Sequence, residues 1–116
     1  MKLKGILVEP DKLPKVYEFD CNSYKDFYPV LDCEIFEIPR RKFGKNYYDI
    51  YCDEEGFLND KIPAIFTFDD DCLVEIIRGN CFICKHDDEG EAVSLTDNEI
   101  AEIMGNIKQD VLVCEL

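Results

Sequence analysis

Positive charge is scarce in the second half of this sequence, where residues 59–116 hold four basic groups against 14 acidic ones. Residues 1–58 are nearer to balance, with nine against 12. A field of that sign repels nucleic-acid phosphates and anionic membranes, so neither is an expected partner over most of the surface. Long apolar runs are missing too: Ile6-Leu7-Val8 is stopped at once by Glu9-Pro10, too soon for a signal peptide or a membrane span. The expectation is a cytoplasmic protein. No glycine-rich phosphate loop, no Ser/His/Asp arrangement and no second pair of metal ligands occurs, so no catalytic residue, metal or cofactor is expected. Internal repeats, low-complexity tracts and Pro/Gly/Ser-rich linkers are also absent, which leaves residues 1–116 as one domain.

What is present is the composition of a folded protein. An apolar share of 47% with 12% aromatics exceeds that of a disordered acidic chain, and 116 residues can build one core without disulfides or metal. The net charge of −13 favours solubility and attracts basic partners; its sharper reading is mimicry of a polyanion. The cysteines, Cys21, Cys33, Cys52, Cys72, Cys81, Cys84 and Cys114, are odd in number. Without a secretory signal they read as reduced, partly buried thiols rather than a disulfide framework.

Periodicity predicts an α+β fold, a mostly antiparallel sheet with two helices packed on it. Lys4 to Val8 and the alternating Lys15-Val16-Tyr17-Glu18-Phe19 form an opening hairpin. Asn22 or Ser23 caps a short helix with Tyr24, Phe27, Tyr28 and Leu31 on one face, its last turn compromised by Pro29. Strands are expected at Cys33 to Ile38, at Tyr47 to Cys52, between Ile62 and Phe68, and at Val111 to Cys114. Leu73 to Arg78 and Cys81 to His86 flank Gly79-Asn80, which reads as a two-residue hairpin turn. The clearest element is a second helix. Thr96 caps it, Glu99 completes a capping box, Leu95 and Ile100 form a hydrophobic staple, and Ile100, Ile103, Met104 and Ile107 make one apolar stripe.

Candidate chemistry is thin. Cys81 and Cys84 have the spacing of half a zinc site or a redox pair, but residues three apart in a strand point to opposite faces. His86 shares the face of Cys84, yet a thiol-dependent enzyme would also need an orienting group and an oxyanion site. The acidic clusters Asp69-Asp70-Asp71 and Asp87-Asp88-Glu89 lack the ligand pattern of a calcium loop and read as solvated turns or as a surface for a basic protein partner. The compact basic loop Arg40-Arg41-Lys42-Phe43-Gly44-Lys45, followed by Tyr47 and Tyr48, is the best candidate for an anionic, nucleotide-like ligand. Charge that keeps an edge strand soluble explains the same residues.

Four segments in this order, Ile6 to Pro10, Tyr48 to Asn59, Ile76 to Cys84 and Ser94 to Ile100, resemble a family of phages, plasmids and gut bacteria known as domain of unknown function thirty-eight forty-six. The resemblance spans nearly the whole chain. It implies that Cys81 and Cys84 replace ordinary aromatic and aliphatic strand residues. It also implies no activity. Where the family tends to carry a Pro-Asn-Arg-like stretch, this chain has Ile62-Pro63-Ala64-Ile65, so a role for that polar pair does not carry over. The expectation is a non-catalytic binding or accessory protein of a phage or mobile element, acting through an acidic protein-interaction surface. The alternatives are an anion-binding module built on residues 40–45 and, last, a thiol enzyme.

Overall fold

Alternating side chains in the first 20 residues make the opening hairpin. β1 (Lys2–Val8) and β2 (Lys15–Asp20) pair antiparallel, with Leu3 beside Phe19 and Ile6 beside Val16. The computed structural model describes residues 1–109, so the strand expected at Val111 to Cys114 lies outside the described residues. Ser23 accepts from the Lys25 amide and caps a 3-10 turn, Tyr24–Asp26, that runs into α1 (Phe27–Leu31). Asp32, left-handed at φ 53°, closes that helix.

Five strands follow in the main sheet or beside it: β3 (Phe36–Glu37), β4 (Arg40–Phe43), β5 (Asn46–Asp53), β6 (Pro63–Asp69) and β7 (Cys72–Arg78). Then come β8 (Cys81–His86), β9 (Ala92–Val93) and α2 (Asp97–Met104). The main sheet runs β2-β1-β8-β5-β3, with β4 also on β5 and β9 also on β8, and every pairing is antiparallel. A separate two-stranded sheet pairs β6 with β7. The described chain is therefore α+β, mostly antiparallel strand with two short helices.

Three expectations need correction. The strand at Cys33 to Ile38 shrinks to Phe36–Glu37, because α1 ends only at Asp32 and Pro39 removes a donor directly after it. Residues 40–43 are strand rather than loop; only Gly44 and Lys45 turn the chain back into β5. The largest change is at Gly79-Asn80, which does not close a hairpin. β7 pairs with β6, while β8 inserts between β1 and β5.

Burial explains the last correction. Cys81, Phe82, Ile83 and Cys84 are all buried, the mark of a central strand covered on both faces, whereas β7 is exposed along its first half. Gly79-Asn80 is instead the crossing between the two sheets. Gly79 sits at φ 79° and donates its N–H to the Ile62 carbonyl, and the Asn80 amide donates to the Val30 carbonyl at 3.2 Å.

One face of the main sheet carries an aromatic cluster. Phe27 stacks on Tyr51 at 4.1 Å, and Phe19 meets both Phe27 and Phe82 edge to face at 5.4 and 5.2 Å. Phe82 reaches over β1 because Gly5 has no side chain: a Cβ there would lie 2.6 Å from the ring and 2.3 Å from the Ile83 carbonyl oxygen. Ladder register puts Ile6, Ile50, Ile83, Cys52 and Cys81 on the opposite face. The capping box of α2 forms as expected, with Thr96 and Glu99 exchanging hydrogen bonds. Ile103 on that helix is fully buried.

Candidate interaction site

Of the six basic and aromatic candidates, Arg40, Tyr47 and Tyr48 border one cleft, whereas Arg41, Lys42 and Lys45 do not. Along β4 successive side chains alternate, so Arg40 stands beside Asp49 and Arg41 beside Tyr48. Arg41 donates to Glu75 of β7 at 2.7 Å, and Lys42 lies 3.6 Å from Asp70 in the β6–β7 turn. The Arg41 Nε is buried without an acceptor among the described residues. Lys45 contributes its backbone N–H, which donates to Glu102 at 3.1 Å.

Glu102 of α2 accepts twice more, from Asn46 at 2.8 Å and from the Tyr48 hydroxyl at 2.7 Å. These donors hold the Glu102 carboxyl below its ordinary range. Burial, followed by the bond to Glu102, pushes the Tyr48 hydroxyl up in turn. Tyr48 is therefore a buried strut between the β4–β5 hairpin and α2, not a stacking platform.

Arg40 and Tyr47 do meet the acidic turn Asp87-Asp88-Glu89. Together with Asp49, Lys85 and His86 they border an open cleft of about 690 Å³. At its floor the His86 Nδ1 lies 2.6 Å from the Asp49 carboxylate, and the Arg40 Nη1 lies 3.2 Å from the His86 Nε2. A guanidinium can only donate, so in this contact Nε2 is the acceptor and Nδ1 the nitrogen that donates to Asp49. Both ring nitrogens are thereby engaged, and Asp49, only 4% exposed, is satisfied. Asp87 is structural as well: its carboxylate accepts from the Glu89 and Glu91 amides at 2.9 and 3.0 Å and shapes the β8–β9 hairpin.

The thiols stay protonated. Burial raises Cys81 to about 12, and burial with the nearby Asp49 carboxylate pushes Cys84 up as well. Both side chains are fully buried. By ladder register Cys81 shares the Ile83 face and Cys84 the Asp49 face, so the strand separates the two sulfurs without any hairpin at Gly79. No cluster of three potential metal ligands occurs among the described residues. No helix among them is long and apolar enough to cross a membrane.

The second acidic cluster turns β6 into β7 through Asp70, left-handed at φ 54°. Asp69 reaches the Tyr47 hydroxyl at 3.5 Å. Sequence reasoning missed Asp49, Glu75 and Glu102, the three carboxylates that organise this region. Only a lone acid inside the apolar run Tyr47 to Cys52 hinted at Asp49.

A family model described as a domain of unknown function (DUF3846) matches residues 1–108. The chain belongs to this family. Comparisons with curated proteins and with solved structures found no match. The segments that carry the DUF3846 resemblance, from Tyr48 to Asn59 and from Ile76 to Cys84, coincide with β5, the loop after it, and the β7–β8 crossing. They supply Tyr48 and Asp49 to the lining of the cleft, while Arg40 and the turn from Asp87 to Glu89 lie outside them.

Proposed function

We propose that this DUF3846 member is a non-catalytic accessory protein of a phage or other mobile element that works in the cytoplasm by binding a basic protein. One observation supports this over anion binding. Arg41 is committed to a partly buried pair with Glu75 that an anion would have to displace, and Arg40 and Lys42 already contact His86 and Asp70. Asp71, Asp88 and Glu89 are exposed and form no ion pair among the described residues. Displacing a partly buried pair such as Arg41 with Glu75 costs more than docking a cation against free surface carboxylates. The thiol-enzyme reading is set aside because neither buried sulfur borders the cleft. The same proposal takes both helices as covers of the sheet, supported by the stacking of Phe27 on Tyr51 and by the burial of Ile103.

The test is a titration with a lysine decapeptide and, separately, with ATP. Binding of the peptide is expected at low ionic strength, with a steep loss as salt shortens the screening length to about 8 Å. Nucleotide is expected to leave the melting temperature unchanged. A thermal shift by ATP that disappears in Arg40→Ala would replace this reading with the anion-binding one.

A further inference from the structure

β7 is an edge strand, and its outer side carries no backbone partner among the described residues. Its sequence, Cys72 to Arg78, contains no proline and no lysine, the residues that commonly blunt such edges. Seven residues at about 3.3 Å each offer roughly 23 Å of unpaired main chain. Leu73 and Val74 are 53% and 49% exposed on this strand, and Phe57, 75% exposed, stands at the end of the same groove. Val74 is skipped by the ladder, since Thr67 pairs with Glu75 and Phe68 with Leu73. That bulge turns an aliphatic side chain outward.

The groove beside β7 measures about 400 Å³, and Glu37, Glu54 and Glu75 line it. Glu75 is taken by Arg41, but Glu37 and Glu54 form no ion pair among the described residues. Burial, then the neighbouring Glu75 and Glu54, pushes the Glu37 carboxyl up, a sign that negative charge is crowded here. At the far end the Arg78 guanidinium lies over the Phe57 ring at 5.4 Å.

We propose that the free edge of β7 receives an extended segment of a partner protein, in which lysine or arginine alternates with aliphatic residues, as a third strand of the β6–β7 sheet. Main-chain hydrogen bonds would hold the segment, alternate aliphatic side chains would lie on Leu73, Val74 and Phe57, and cations would reach Glu37 and Glu54. A second copy of this chain fits poorly. Antiparallel pairing of β7 with itself about its midpoint sets Glu75 opposite Glu75, and like charges directly opposite destabilise a ladder. This inference rests on the basic-partner reading above and specifies where and how such a partner binds.

The probe is a capped decapeptide alternating lysine with valine, fluorescently labelled and followed by anisotropy. A twin peptide N-methylated at alternate amides should bind at least about tenfold more weakly, since one edge loses its donors. Leu73→Arg should weaken binding about as much, and Glu37→Gln with Glu54→Gln should do the same. Leu73 is exposed, so that variant should melt like wild type. Equal affinity for the N-methylated twin overturns strand addition. Weakening by Asp88→Asn with Glu89→Gln, but not by Leu73→Arg, overturns this site and leaves the basic-partner reading standing. Failure of every basic peptide overturns both. A dimer in sedimentation that Leu73→Arg disperses makes a second copy the occupant and overturns the proposal.

Discussion

β7 and β8 are neighbours in sequence and similar in composition, yet they meet opposite fates. Cys72 to Arg78 ends as the edge of a small sheet with its first three residues exposed, while Cys81 to Cys84 are buried in the centre of the large one. The difference lies in what surrounds each strand rather than in its own propensity. β8 has β1 on one side, β5 on the other and packed layers on both faces; β7 pairs only with β6 among the described residues and is exposed over its first three residues. Intrinsic β preference is similar for both segments, and tertiary context decides which is core.

The sharpest way to break this comparison is to truncate a large residue in each strand. Phe82→Ala removes a fully buried ring wedged between Phe19 and Phe27 and should cost about 3–5 kcal/mol in urea unfolding. A loss below about 1 kcal/mol would mean that β8 is not the centre of the core. At the far end of β8, His86→Ala leaves the buried Asp49 carboxylate without its donor, and about 1–3 kcal/mol should be lost. At the crossing between the strands, Gly79→Ala forces a Cβ into a left-handed conformation and should cost about 1–2 kcal/mol. Were Gly79 part of a relaxed surface loop, that change would be silent.

Acid separates the regions in another way. Burial opposes it, yet the bonds from Lys61, at 2.8 Å, and from the Glu55 amide hold Asp53 below its ordinary range. Against the same opposition, Lys85 and Thr96 hold Glu99 low. Depressed carboxyls stabilise above their unfolded values, near 4, and that contribution should fade as pH drops through their folded values. Glu37 has the opposite sign: it is raised, so its contribution is largest in acid and is lost as pH climbs through its folded value. Melting curves should therefore show Glu37→Gln stabilising at pH 7, and a fall in melting temperature for the wild type below about pH 4. The smallest effect is expected from Leu73→Ala on the exposed edge, within about 0.5 kcal/mol by chemical denaturation.

The elements that announced themselves locally were legible. The capping box at Thr96 and Glu99 and the alternation through Tyr17 and Phe19 each depend on neighbours a few positions away. Partnership between distant strands was not. Gly79-Asn80 has the chemistry of a tight turn, and the same glycine freedom serves a crossing equally well. Nothing within ten residues of Cys81 reveals that Val8 lies beside it in the sheet. The cleft failed to show for the same reason. His86 and Asp49 are 37 positions apart, and Arg40 lies 46 from His86. Their meeting is a property of the ladder alone.

The place of β8 also dictates an order of assembly. As the chain leaves the ribosome, β1 and β2 can fold at once, and so can β4 and β5, but the strand that unites the two hairpins is made only after residue 80. Until then β1 and β5 both expose a side they will later share, with Ile6, Ile50 and Tyr51 open to water. Such a topology folds late and slowly for its size, and its half-finished state is the one most prone to stick to other nascent chains.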